Sequence, residues 1–170
     1  MAIKLEAKKI TPGKYNAEDK KPHDTVAAIF SKGSGDKCKY LIEDHIKHDM
    51  LTFPIGKVKP DQSITEALEA ECHEETNLKV KEYQEVLNYS RFYDFTGKKV
   101  PVHTHVFKVI SYTGELKNAE PKKHRWIRWM TRKDIEGAKR KIADAVVAYF
   151  KWLDDVNEAS ILKPHVKVGG

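Results

Sequence analysis

Cysteine is scarce in this 170-residue chain, which has only Cys38 and Cys72. Two thiols cannot build a disulfide framework, and no Cys-x-x-Cys spacing offers zinc or redox chemistry, so both are read as reduced and structural. Long apolar runs are also missing. The longest, residues 26–30 and 145–150, fall far short of the roughly 18 residues a membrane-spanning helix requires. The first nine residues mix charged and apolar side chains and lack the apolar stretch of a secretory signal. No membrane association is therefore expected, and a cytoplasmic location is. Neither a nucleophilic-serine motif nor a Gly-rich phosphate loop ending in Lys-Ser/Thr occurs. His45, His48 and His73 lack the cysteine partners and the spacing of a zinc site.

What remains suits one globular domain spanning residues 1–170, with 40% apolar side chains to fill a core and 33% charged ones to cover it. The formal net charge of +6 points to an anionic partner. Its distribution is uneven. Residues 61–76 carry six acids (Asp61, Glu66, Glu69, Glu71, Glu74 and Glu75) and no Lys or Arg, whereas residues 120–141 carry nine basic side chains against three acids. A negative segment inside a positive chain invites a cation at one place and an anion at another.

Residues 1–24 lack clean periodicity and read as an arm or edge strand, and residues 166–170 as a frayed tail. Strands are predicted at 25–30 and 39–43, joined as a hairpin through a glycine-containing turn, and at 51–53 before an irregular loop containing Pro54, Gly56 and Pro60. Ser63 followed by Glu66 is the spacing of a capping box, and Asn77 suits a left-handed helix end, so a helix is predicted over 64–76. Residues 85–95 and 100–110 flank Thr96-Gly97-Lys98-Lys99 as a second hairpin. A strand at 125–130 precedes Thr131 and Asp134, a second capping pair. Apolar residues from Ile135 through Ile142 and Val146 to Leu153 recur at helical spacing. They predict one long C-terminal helix.

Glu71, Glu74 and Glu75 stand at i, i+3 and i+4, which gathers their carboxylates on one helix face. Like charges there repel by some tenths of a kcal/mol per pair, a penalty a divalent cation reverses. An all-oxygen set favours Mg²⁺ or Mn²⁺ over zinc. A plain solvated acidic face would carry the same three residues, and the preceding loop tips the reading.

Residues 56–78 resemble the Nudix box, G-x5-E-x7-R-E-U-x-E-E-x-G-U with U aliphatic, without insertion over all 23 positions. Gly56 and Asn77 stand at its two glycines, Glu71, Glu74 and Glu75 at its helix glutamates, and Cys72 and Leu78 at its U positions. Gln62 replaces the first glutamate and Ala70 the arginine. If those two family residues pair, losing both avoids an unpaired buried charge. The resemblance implies the Nudix fold: an α+β, α/β/α sandwich built on a mixed sheet, with a catalytic loop-helix and a long C-terminal helix.

It also implies Mg²⁺- or Mn²⁺-dependent hydrolysis of a phosphoanhydride in a nucleoside diphosphate-linked or polyphosphate substrate. A dinucleoside polyphosphate, a diphosphoinositol phosphate, a nucleoside triphosphate or a capped RNA end would each fit. Glu74 and Glu75 are the expected metal ligands, Glu71 a ligand or the base for water, the Ile55 carbonyl a further ligand, and Glu120 an additional acid. Gly56 would admit the phosphates to the loop backbone. Lys57, Lys59, Arg91, Lys122, Lys123 and Arg125 are candidate phosphate partners. His103 and His105 share one strand face that could hold substrate. Tyr93, Phe95 and Trp126 are candidate stacking surfaces. The alternative is a catalytically silent Nudix-like module that binds nucleotide or RNA.

Overall fold

Backbone turns that need left-handed residues mark where this chain reverses. Thr96 and Gly97 both have positive φ, 52° and 96°, the geometry of a tight two-residue hairpin turn. They join β8 (Lys79–Phe95) to β9 (Lys98–Thr113), a longer antiparallel pair than the sequence predicts. In this computed structural model, residues 2–10 and 15–162 are described, with side chains from residue 5 to 159. The expected tail at 166–170 lies outside them.

The long hairpin anchors a mixed sheet. β3 (His23–Ile29) runs parallel to β9, and β7 (Ile55–Lys57) lies antiparallel on the far side of β3. β1 (Ala2–Lys4) and β2 (Lys8–Lys9) pair in parallel with β8, so the N-terminal arm forms an edge. A second, antiparallel sheet contains β4 (Ser31–Lys32), β5 (Lys39–His45), β6 (Met50–Thr52) and β10 (His124–Thr131). The expected hairpin of residues 25–30 with 39–43 is thereby corrected. β3 stays in the first sheet, the chain crosses at the fully buried Phe30, and only the two-residue β4 turns back on β5.

Strands buried on both faces lose their alternating pattern, and β3 is an example. Val26 and Ala28 join a core with Leu68 and Cys72 of α1 (Ile64–Thr76). Ala27 and Ile29 join the opposite core with Ile135, Val146, Tyr149 and Phe150. Helices therefore cover both faces. α1 begins and ends where its caps dictate. Glu66 N–H donates to Ser63 Oγ at 3.1 Å, Ser63 N–H donates to Glu66 Oε1 at 3.2 Å, and Asn77 adopts φ 64°.

The single C-terminal helix predicted from periodicity is two helices, α2 (Arg132–Gly137) and α3 (Asp144–Leu162). Between them Lys139 turns left-handed at φ 53°. Leu51 N–H donates to Lys141 O and Ala143 N–H to Leu51 O, both at 2.9 Å. Pairing with β6 thus takes the backbone groups that a continuous helix would need. Among the described residues, no helix is long and apolar enough to cross a membrane.

Candidate functional site

α1 delivers its acids to the first sheet with its carboxyl groups graded by depth. Glu75 is buried at 4% exposure, Glu71 is half-buried and Glu74 is exposed. The loop before α1 meets them: Ile55 N–H donates to Glu75 Oε2 at 3.2 Å. A Cβ on Gly56 would collide with the Glu71 carboxylate. Glycine is therefore required there for Glu71 to lie against the loop. Gln62, at the first departure from the box, accepts the Lys59 N–H at 3.1 Å and so closes the turn into the helix.

Two further residues complete the cluster. Glu43 follows Leu41 by two on β5, so both point toward α1, and Leu41 is part of the α1-side core. His124 enters from β10, where the register slips between His124 and Ile127. The extra residue reverses the alternation. It places His124 on the inner face beside Glu43 and sends Arg125 to the other. Glu43, Glu75 and His124 each bring one ligand atom to within 4.8 Å of the others, and all three are buried. His124 Nε2 lies 3.0 Å from Glu43 Oε2.

This cluster fits a cation. Burial pushes the Glu43 carboxyl up to about 8. Burial, reinforced by the Glu43 charge, holds Glu75 well above the ordinary carboxylate range. Burial and then the Glu74 charge raise Glu71 to about 7. His124 is shifted down by burial, toward the neutral ring that binds metals. Both oxygens of the Glu43 carboxyl are buried without a hydrogen-bond partner. Buried acids that resist ionisation together and leave carboxylate oxygens unpartnered are what an inserted divalent cation would satisfy. Glu120 stands nearby: its charge acts on Glu43 and Glu71, its Oε2 accepts from Lys123 Nζ at 3.1 Å, and its Oε1 is buried and unpartnered.

The cluster opens into a groove of about 1670 Å³ whose lining includes Gly56, Lys57, Lys59, Tyr93, Lys122 and Lys123. Lys57 ion-pairs with Asp19 across it. Other sequence-predicted residues lie elsewhere. Arg125 bridges Asp44 and Asp49 at 2.9 and 3.0 Å. His103 contacts Ser90 Oγ at 2.6 Å. His105 is held by Glu85, and by Asp24 at 3.2 Å. Their neighbours Val102 and Thr104 line the groove, so alternation turns both histidines to the opposite face. Arg91 reaches the groove through Asp144, 2.7 Å away. Phe95 is buried beside Ile10 and Val100, and Trp126 lies beneath Arg128.

Sequence reasoning missed Glu43. Its one signal was an acid at an alternate position of a strand otherwise bound for the core. His124 stood where many Nudix enzymes have an acid, but its role depended on the bulge.

A mixed sheet between helices, with a loop-helix carrying paired glutamates, defines an α+β fold of Nudix type. The sequence matches the family model of the NUDIX domain over residues 21–153, and the chain belongs to that family. Solved structures agree. A MutT NUDIX hydrolase from Burkholderia pseudomallei is 15% identical with a TM-score of 0.65, over 78% of this chain and 98% of that one. The NUDIX domain of Shewanella oneidensis NrtR, solved with ADP ribose, is 12% identical with a TM-score of 0.62, over 83% and 92%. A C. elegans Ap4A hydrolase is 16% identical with a TM-score of 0.52, over 81% and 98%. No curated protein matches the sequence.

Proposed function

We propose that this protein is a Mg²⁺- or Mn²⁺-dependent pyrophosphohydrolase acting on a phosphoanhydride in a nucleoside diphosphate-linked or polyphosphate substrate. The observation that carries this reading is the buried Glu43, Glu75 and His124 cluster, with Glu71 beside it, at the mouth of a lysine-lined groove. Glu43, Glu75 and His124 would hold the ion, and Glu74, exposed on the same helix, would be free to take part in holding a further one. When bound, such an ion neutralises phosphate charge and makes water a better nucleophile.

The chain's own residues do the rest. Glu71, raised to about 7, is matched to take a proton from water near neutral pH. Its place against Gly56 sets where that water can stand. Lys59, Lys122 and Lys123 supply cations for phosphate oxygens along the groove. Tyr93 offers an aromatic wall.

The test is release of phosphate or nucleotide from a panel of nucleoside triphosphates, ADP-ribose, dinucleoside polyphosphates, diphosphoinositol phosphates and capped RNA, with Mg²⁺, Mn²⁺ or EDTA. ADP ribose and Ap4A are the compounds that the similar structures name, and are the first to try. Glu75→Gln is expected to lower metal-dependent turnover by about 10²-fold or more. Turnover unchanged by that substitution would sink the proposal. The replacements at Gln62 and Ala70 favour a second reading, a silent module that binds nucleotide or RNA; it predicts binding of panel members with no turnover of any.

A further inference from the structure

The groove extends well beyond the carboxylate cluster, and its far end has a different charge. There Lys8 from β2, Lys141 from the segment before α3, and Asp144 at the start of α3 line the wall. Arg91 from β8 reaches the same carboxylate, with Nη1 2.7 Å from Asp144 Oδ2. Two lysines thus share the wall with a carboxylate that is already paired with a third cation. Arg91 uses one of its nitrogens on Asp144, and its Nε is buried without a partner. Among the described residues, neither Lys8 nor Lys141 is in an ion pair. The half-buried Tyr93, which pairs with Lys8 in the β2–β8 register, lines the recess as well.

We propose that this recess is a second anion subsite, which takes a phosphoryl group separate from the phosphoanhydride that is cleaved. The protein would then prefer a substrate whose nucleoside or other distal part carries its own phosphate. This proposal rests on the hydrolase reading for the scissile bond, but its subsite is made of other elements: β2, β8 and the α3 start, against α1, β5, β7 and β10 at the cluster.

Electrostatics supports the assignment. The Lys8 ammonium is shifted below its ordinary value chiefly by burial, against the opposing Asp144 charge and with smaller downward contributions from the Lys141 and Arg91 charges. Cations that disfavour one another in a partly desolvated recess gain from an added anion. A phosphate offers several acceptor oxygens to the two ammonium groups that line the recess, while Arg91 behind Asp144 offsets that carboxylate's charge. Recess and cluster belong to one groove, and the two lysines at this end would favour an anionic group over a neutral sugar or base alone.

The test compares, by calorimetric titration, the affinities of AMP, adenosine 2′,5′-bisphosphate and adenosine 3′,5′-bisphosphate for the wild-type protein. None of the three contains a phosphoanhydride, so turnover does not enter. At least one bisphosphate is expected to bind about tenfold more tightly than AMP. The double variant Lys8→Gln, Lys141→Gln should reduce that ratio to below about twofold. Asp144→Asn, which removes the competing carboxylate, should increase it several-fold. The opposite signs distinguish subsite effects from damage to the fold. Equal affinities in the wild-type protein, or a ratio that survives in the double variant, would overturn the proposal. Absence of Mg²⁺-dependent cleavage across the substrate panel would instead overturn the hydrolase reading and leave the measured ratio to decide the subsite.

Discussion

Glu43 is the residue whose chemistry is most out of keeping with its place. It is completely buried, beside a second buried carboxyl group, Glu75, and a histidine. Without an ion, ionising both acids there is costly, which is why burial raises both. Removing one charge should therefore stabilise the metal-free protein while damaging the site. Glu43→Gln is expected to raise the melting temperature in EDTA by a few degrees, corresponding to about 1–2 kcal/mol. The same substitution should abolish the further rise that Mg²⁺ or Mn²⁺ gives the wild-type protein by binding only its folded form. Thermal unfolding with EDTA and with each ion checks both halves. A destabilised variant that keeps the full metal-induced rise would exclude Glu43 from the ion site.

Secondary-structure elements here are held in place by a second set of charges, turned away from the site. Asp44, next to Glu43 on β5, accepts from Arg140 at 2.7 and 3.1 Å and from Arg125 at 2.9 Å. This ties β5 to β10 and to the segment that separates α2 from α3. The Arg140 hydrogen bonds, with help from Arg125, hold the Asp44 carboxyl below its ordinary range against its burial. A depressed carboxylate stabilises the fold fully above its unfolded value of about 3.9, and that stability is lost as pH falls through the lower folded value. Asp44→Asn should consequently cost about 1–3 kcal/mol at pH 7 and flatten the loss of stability between pH 5 and 3. Urea unfolding across that range measures both. An unchanged acid limb in the variant would remove Asp44 from the account.

Legibility divides along the same line. The helix over 64–76 was readable because its signals, the Ser63 and Glu66 box and the left-handed Asn77, act within one turn of its ends. The α2–α3 break was not, because its cause is the pairing of Leu51 with Ile142, remote in sequence. Periodicity reports which side of a helix is apolar and cannot report that a distant strand will claim the backbone. Arg125 and His124 make the point within one strand. Regular alternation would place Arg125 with Ile127, and a single bulge exchanges Arg125 for His124.

At the scale of the whole molecule, a net charge of +6 coexists with a buried acidic cluster, so the surplus positive charge lies outside the ion site. Lysines able to meet phosphate nevertheless line the groove, Lys8, Lys59, Lys122, Lys123 and Lys141 among them. Attraction of this kind is screened by salt over about 8–10 Å at ordinary ionic strength. KM for a polyphosphate substrate should therefore rise several-fold between about 0.05 and 0.3 M NaCl, with kcat changing much less. Steady-state kinetics in both salts checks this, and a KM indifferent to salt would show that the groove lysines do not contact phosphate.

By itself the sequence determined the loop-helix, its caps, its three glutamates and the glycine at its entry, and with them the family. Those features depend on neighbours a few residues apart, and local steric and hydrogen-bonding rules suffice to read them. Only the tertiary structure decided that Glu43 and His124 join Glu75, that His103 and His105 face away, and that Lys8 and Lys141 line one groove with the Asp144 that Arg91 holds. Each of those outcomes is set by strand register, by a bulge or by which sheet a strand enters. Such choices are made by the packing of the whole core, because a shift of one residue turns every side chain of a strand to its other face.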